Sequence, residues 1–177
     1  MSKKGLNVYI SGMGGQGIAF LARLIIEACI EAKMRILSCD THGMAQRGGI
    51  VKSHLRIGAE VRTPMIPKGK ADLCLGLERL EAMRAVREMS APQSTALYYD
   101  SVYQPASVRT GNADYPENGD FEKLAARKKV TLHRVHISDI PDPKMQNTAL
   151  LAEIVRLKLM SVREQYRCLL NRLWQGM

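Results

Sequence analysis

The sequence predicts an α/β fold: a single Rossmann-like domain with a mostly parallel sheet and helices on both faces. Three observations carry this. Short apolar runs alternate with segments of helical periodicity along most of the chain, the pattern of strands joined by crossover helices. The first run, residues 6–10, empties into the glycine cluster Gly12-Met13-Gly14-Gly15-Gln16-Gly17, which opens a long apolar segment from Ile18 to Ala32, so strand, turn and helix follow in order. A length of 177 residues with 46% hydrophobic side chains suits one well-filled core.

Residues 6–11 read as the first strand and about 16–33 as the first helix. In that helix Arg23, Glu27 and Glu31 recur every fourth position among apolar neighbours, which marks one narrow solvated stripe on a helix otherwise buried. Strands follow at 35–40, 51–57 and 71–77, then a helix from about 80 to 89. A strand at 95–100, an irregular stretch through 120, a short helix near 121–128, a strand at 131–136 and helical segments from about 145 onward complete the reading. The proline joints at 63–67 and 140–143 are turns, not domain boundaries. The domain therefore covers 1–177, with a C-terminal helical extension from about 161. There Val162, Tyr166, Leu169, Leu170, Leu173 and Trp174 fall at helical spacing opposite Arg163, Arg167 and Arg172.

Two glycine-rich turns carry the functional signal. Gly12, Gly14 and Gly17 fit the G-x-G-x-x-G spacing in which backbone N–H groups and a helix N-terminus meet an anion; equally, such a turn packs a first helix tightly on its strand. Asp40 closes the second apolar run, where a dinucleotide site would hold a ribose hydroxyl. Alone, this describes a free-standing NAD(P)-binding Rossmann oxidoreductase. The second cluster, Asp40-Thr41-His42-Gly43-Met44-Ala45-Gln46-Arg47-Gly48-Gly49, points elsewhere. Its glycines at 43, 48 and 49 permit close backbone approach, while His42, Gln46 and the planar guanidinium of Arg47 supply donors of different reach, suited to a carboxylate or phosphate. A dinucleotide domain has no general need of such a loop after its second strand.

Together the two clusters resemble the gamma-type domain of the 2-oxoacid:ferredoxin oxidoreductase family, most closely the small beta subunits of its indolepyruvate branch. Further segments are similar to family landmarks: residues 71–82, a buried strand breaking at Gly76 and entering a helix through Glu78, and more weakly Gly111-Asn112-Ala113-Asp114-Tyr115-Pro116 and Asn147-Thr148-Ala149-Leu150. The resemblance runs from about residue 7 to 159. It implies the non-cofactor-bearing subunit of a thiamine-diphosphate enzyme that converts an aryl 2-oxoacid such as indolepyruvate, with coenzyme A as co-substrate, to an acyl-CoA, CO2 and reduced ferredoxin. Thiamine diphosphate, magnesium and 4Fe-4S clusters are then expected on a large alpha subunit and none on this chain. The partners implied are that subunit and, through the complex, ferredoxin; in isolation the chain could pair with itself through a face normally covered.

The remaining composition agrees. Cys29, Cys39, Cys74 and Cys168 are scattered through apolar segments, none in a C-x-x-C arrangement, so buried free thiols are expected. No nucleophile elbow, H-E-x-x-H or paired His/carboxylate spacing offers a catalytic or metal centre, and catalytic residues are expected to be none; His54 reads as a satisfied strand residue, and His133 and His136 as separate structural ones. The net charge of +9 is spread along the chain with few aromatics, which argues against nucleic acid and for an acidic protein partner. No apolar run approaches the ~20 residues of a membrane span, and the segment before the first strand is too short for a signal peptide, so the expected location is the cytoplasm.

Overall fold

The computed structural model describes residues 5–42, 49–102, 106–111, 114–138 and 145–160. In chain order the elements are β1 (Leu6–Met13), α1 (Ile18–Glu31), β2 (Ile36–His42), β3 (Ile50–Ile57), β4 (Ala71–Gly76), α2 (Arg79–Met89), β5 (Ser90–Tyr99), α3 (Ala106–Arg109), α4 (Asn118–Lys128), β6 (Thr131–Val135) and α5 (Gln146–Arg156). The six strands form one sheet in the order β2-β3-β1-β4-β5-β6.

The α/β class stands, with helices on both faces, and the sheet is mixed. β1, β4, β5 and β6 run parallel, while β3 lies antiparallel between β1 and β2. The cause is local: residues 43–49 are too few for a crossover, which takes a dozen or more, so β2 and β3 close as a hairpin.

Alternation along the parallel strands builds two cores. Val8, Ile10, Leu73, Leu75, Leu97 and Tyr99 meet α1 and α5 on one face. Tyr9, Cys74, Ala96 and Tyr98 meet α2 and α4 on the other, where Tyr98 packs on Phe121 with ring centroids 4.8 Å apart. Burial on both faces explains why these strands read as nearly continuous apolar runs. Gly76 ends β4 because nothing larger fits: a Cβ there would lie 2.3 Å from Ala82 Cβ.

Several elements differ from the sequence reading. The outer face of α1 carries the expected polar stripe, with Arg23 paired to Glu27 at 2.8 Å, yet Phe20 and Ile30 are exposed beside it, so the stripe is broader and partly apolar. β5 begins at Ser90, directly after α2; its register against β4 shifts between Ala71 and Leu73, and Gln93 takes a left-handed φ of 62° in the bulge. α4 starts at Asn118, where Asp120 Oδ2 accepts from the Glu117 N–H at 3.2 Å, and α3 interrupts the stretch read as irregular. The second proline joint and the extension from 161 lie outside the described residues.

His54 is structural. Its Nδ1 accepts from the Ile66 N–H at 3.2 Å, its ring stands edge-on to Tyr9 at 4.9 Å, and burial together with Lys52 holds its pKa below the ordinary histidine value. Cys29 and Cys74 are free and buried, and burial pushes their thiols up to about 11 and about 12, whereas Cys39 is free but only half-buried on the edge strand. Cys168 lies outside the described residues.

Candidate functional site

Described parts of these motifs, far apart in sequence, meet at the carboxyl edge of the parallel strands. β1 pairs with β3 to its last residue, Met13 opposite Ile50, and the next amide, Gly14 N–H, donates to the Gly49 carbonyl at 2.8 Å. The two glycine clusters are therefore hydrogen-bonded neighbours. Gly15 is exposed at φ 99°, and Gly17 caps α1 at φ 80° with Asn147 against it: a Cβ at 17 would lie 2.4 Å from Asn147 Nδ2. Glycine is required at 17 on both conformational and steric grounds.

Inside the first turn stands the carboxamide of Gln16, with the residue only 9% exposed. Its Oε1 accepts from Met13 N–H at 2.7 Å, and its Nε2 donates to the Leu77 carbonyl at 2.7 Å and to Ser101 Oγ at 3.3 Å. Ser101 Oγ in turn donates to the same Leu77 carbonyl at 2.7 Å. The turn is thus tied to the ends of β4 and β5.

A second polar cluster adjoins it. Glu78, fully buried, caps α2 by accepting from Glu81 N–H at 2.8 Å and takes the Tyr115 hydroxyl proton bond on its other oxygen. Burial, and then that carboxylate, raise the Tyr115 phenol far above its ordinary pKa, so it remains a donor. Arg79 donates from Nε to Asp100 Oδ1 at 2.7 Å and from a terminal nitrogen to the Pro116 carbonyl at 3.1 Å, with its guanidinium 5.5 Å from the Tyr115 ring centroid. Asn118 Nδ2 donates to Asp100 Oδ2 at 3.1 Å, while Asn118 Oδ1 accepts from the Tyr98 hydroxyl at 3.0 Å. Burial alone would raise the Asp100 pKa; the hydrogen bonds from Arg79 and Asn118 and the charges of Arg79 and Arg134 outweigh it and hold the carboxyl below its usual range. Every member is satisfied, as a buried polar network must be to rigidify its surroundings. The arrangement fixes loops; among the described residues, no group of three or more His, Cys, Asp or Glu side chains gathers in a way that would hold a metal ion.

Of the residues singled out from sequence, Gly12, Gly14, Gly15, Gln16, Gly17 and Gly49 meet at this edge. His42 ends β2 opposite Val51; Gly43, Gln46, Arg47 and Gly48 lie outside the described residues. Asp40 is not with them. It sits exposed on β2, opposite Ser53, which is itself opposite Ile10, so β3 holds it two strand spacings, ~10 Å, from β1 and short of the edge. In a dinucleotide fold the second strand lies beside the first; the hairpin has displaced it here, and the dinucleotide reading loses its acidic residue. Sequence reasoning did not single out Arg79, Asp100, Ser101 or Asn118. Asp100-Ser101 closing an apolar run was the available signal.

Comparison with known proteins places the chain in a family. Residues 7–176 match the family model for pyruvate ferredoxin/flavodoxin oxidoreductase. The chain is 41% identical over 126 residues to indolepyruvate oxidoreductase subunit IorB of Archaeoglobus fulgidus, covering 71% of this chain and 61% of that one. Identity is 42% over 110 residues to the subunit of the same name from Methanothermobacter thermautotrophicus, covering 62% and 55%. The chain thus spans about three fifths of the length of the curated relatives it matches. In fold it is similar to the pyruvate oxidoreductase subunit PORC from Thermotoga maritima, with TM-score 0.63 and 16% identity over 97% of this chain and 86% of that one. It is also similar to part of a 2-oxoglutarate:ferredoxin oxidoreductase from Magnetococcus marinus, with TM-score 0.59 and 15% identity over 97% of this chain and 30% of that one. This chain belongs to the pyruvate ferredoxin/flavodoxin oxidoreductase family.

Proposed function

We propose that this chain is the non-cofactor-bearing small subunit of a thiamine-diphosphate-dependent 2-oxoacid:ferredoxin oxidoreductase acting on indolepyruvate or a similar aryl pyruvate. The observation that carries the reading is the bond between the two glycine clusters at Gly14 and Gly49, found in a chain 41% identical to an indolepyruvate oxidoreductase subunit. The complex oxidises the 2-oxoacid to an acyl-CoA and CO2 and passes two electrons to ferredoxin. Thiamine diphosphate, magnesium and the 4Fe-4S clusters belong to the large alpha subunit, in keeping with cysteines here that are scattered and largely buried.

This chain contributes placement, not a reacting group. The loop from His42 to Gly49 sits at the subunit boundary near the active-site mouth, with Arg47 contacting a carboxylate or phosphate and Gln46 a neutral hydrogen-bonding neighbour. A positioned loop shields the thiamine adduct from water and orients the second substrate without moving a proton itself. The Gly12–Gly17 turn supports that loop, since Gln16 already occupies the amide of Met13. The basic surplus steers acidic ferredoxin toward the complex. The setting is cytoplasmic; among the described residues no helix is long and apolar enough to cross a membrane.

Anaerobic affinity purification from the native host tests this. Recovery with a large brown chain that reduces a viologen dye with indolepyruvate and coenzyme A is the expected result. Colourless recovery alone with tight NAD(P) binding overturns it. In the assembled enzyme, Arg47→Ala should weaken coenzyme A or large-subunit binding roughly tenfold or more, the loss of a charge-assisted hydrogen bond; unchanged kinetics and subunit affinity would remove Arg47 from that role.

A further inference from the structure

We infer that Gln16 is a positioning residue whose carboxamide locks the signature loop to the sheet, by fastening the strand end that carries the loop to the carboxyl ends of β4 and β5. Its placement stands on geometry; its functional consequence rests on the subunit reading above.

Both Nε2 protons are committed, to Leu77 and Ser101, and Oε1 to Met13. Nothing is left on the nitrogen to offer a ligand. Gly12 has no space to spare either, since a Cβ there would lie 3.0 Å from Gln16 Oε1 and 3.1 Å from Leu77 Cβ. Met13, the residue whose amide Gln16 holds, is also the last residue of β1 paired with β3, and the next amide binds Gly49. One residue along the chain therefore separates the carboxamide's anchor from the end of the signature loop. An apolar side chain of similar length would fill the same volume, so packing alone does not call for glutamine; its three bonds to three chain segments do.

Hydrogen exchange on the full chain and kinetics of the assembled enzyme test this, with Gln16→Met, which keeps volume and loses all three bonds, and Ser101→Ala, which removes one anchor. Expected is amide exchange roughly tenfold or more faster at Met13, Gly14 and residues 50–52, with the β4–β5 ladder around Leu75 unchanged, and a smaller effect in the same places for Ser101→Ala. In the complex, KM for coenzyme A or the Kd for the large subunit should rise roughly tenfold with kcat held within about twofold. Unchanged exchange at Gly14 in folded Gln16→Met, or acceleration spread evenly over the sheet, overturns the placement. Local acceleration with KM and Kd unmoved overturns the functional consequence. If no large subunit is recovered, the subunit reading fails while the exchange pattern still decides what Gln16 holds.

Discussion

None of residues 36–41 on β2 is buried, whereas on β4 all but Asp72 are. The parallel strands lie between two helical layers and end in a polar network with every partner supplied; the β2–β3 hairpin has one free edge and carries the glycine loop that resemblance marks as functional. The difference teaches a division of labour. The buried half provides a rigid frame, the open half presents a loop, and the two are joined through β1, Gln16 and the Gly14–Gly49 bond.

The sharpest way to break the comparison is to damage the frame. Gly76→Ala puts a methyl 2.3 Å from Ala82 Cβ and 2.9 Å from its Cα, so α2 must move. A loss of about 3 kcal/mol in urea unfolding is expected. A loss under about 1 kcal/mol would show that α2 shifts freely and that the frame is not rigid. Next, Tyr115→Phe leaves one oxygen of the buried Glu78 unpaired at constant shape, an expected cost of about 2 kcal/mol. Near-zero cost would mean water reaches Glu78 and the network is open to solvent.

Titration separates the two halves further. The Asp100 pKa is depressed, so its contribution is present above the ordinary carboxylate value of 3.8 and lost as pH falls through the folded value. His54, on the open half, is depressed too. Its contribution is full above 6.5 and lost as pH falls through its lower folded value, because the unfolded chain takes up a proton that the folded one resists. Thermal unfolding should therefore occur at lower temperature at pH 5.5 than at pH 7.5, and His54→Asn should flatten that slope. An unchanged slope in the variant would assign the dependence to other groups. The smallest effect is expected outside both halves: Arg23→Ala breaks an exposed helix pair and should change stability by no more than about 0.5 kcal/mol.

Much of this was legible in the sequence, for identifiable reasons. Runs buried on both faces announce parallel strands, and the glycines at 12, 15, 17 and 76 mark where neighbouring atoms come too close for a Cβ or where φ turns positive. The hairpin was in reach as well, since residues 43–49 cannot make a crossover, but the G-x-G-x-x-G spacing invited a dinucleotide topology with Asp40 beside the turn. The polar network was not legible, because its pairs are long-range: Arg79 with Asp100, Glu78 with Tyr115, and Gln16 with Ser101, which is 85 positions away. No local periodicity encodes such partners. The start of β5 was missed because a bulge with Gln93 at positive φ interrupts its pairing.

The contact between Gly17 and Asn147 has a consequence for the order in which the protein is made. A chain synthesised from its N-terminus presents the first turn and α1 early, yet the side chain that backs the start of α1 is added 130 positions later, and the Ser101 anchor arrives in between. On the ribosome the β2–β3 hairpin, being local, is free to close long before either. The edge that presents the signature loop is therefore among the last parts to set, and an unfinished chain leaves it slack.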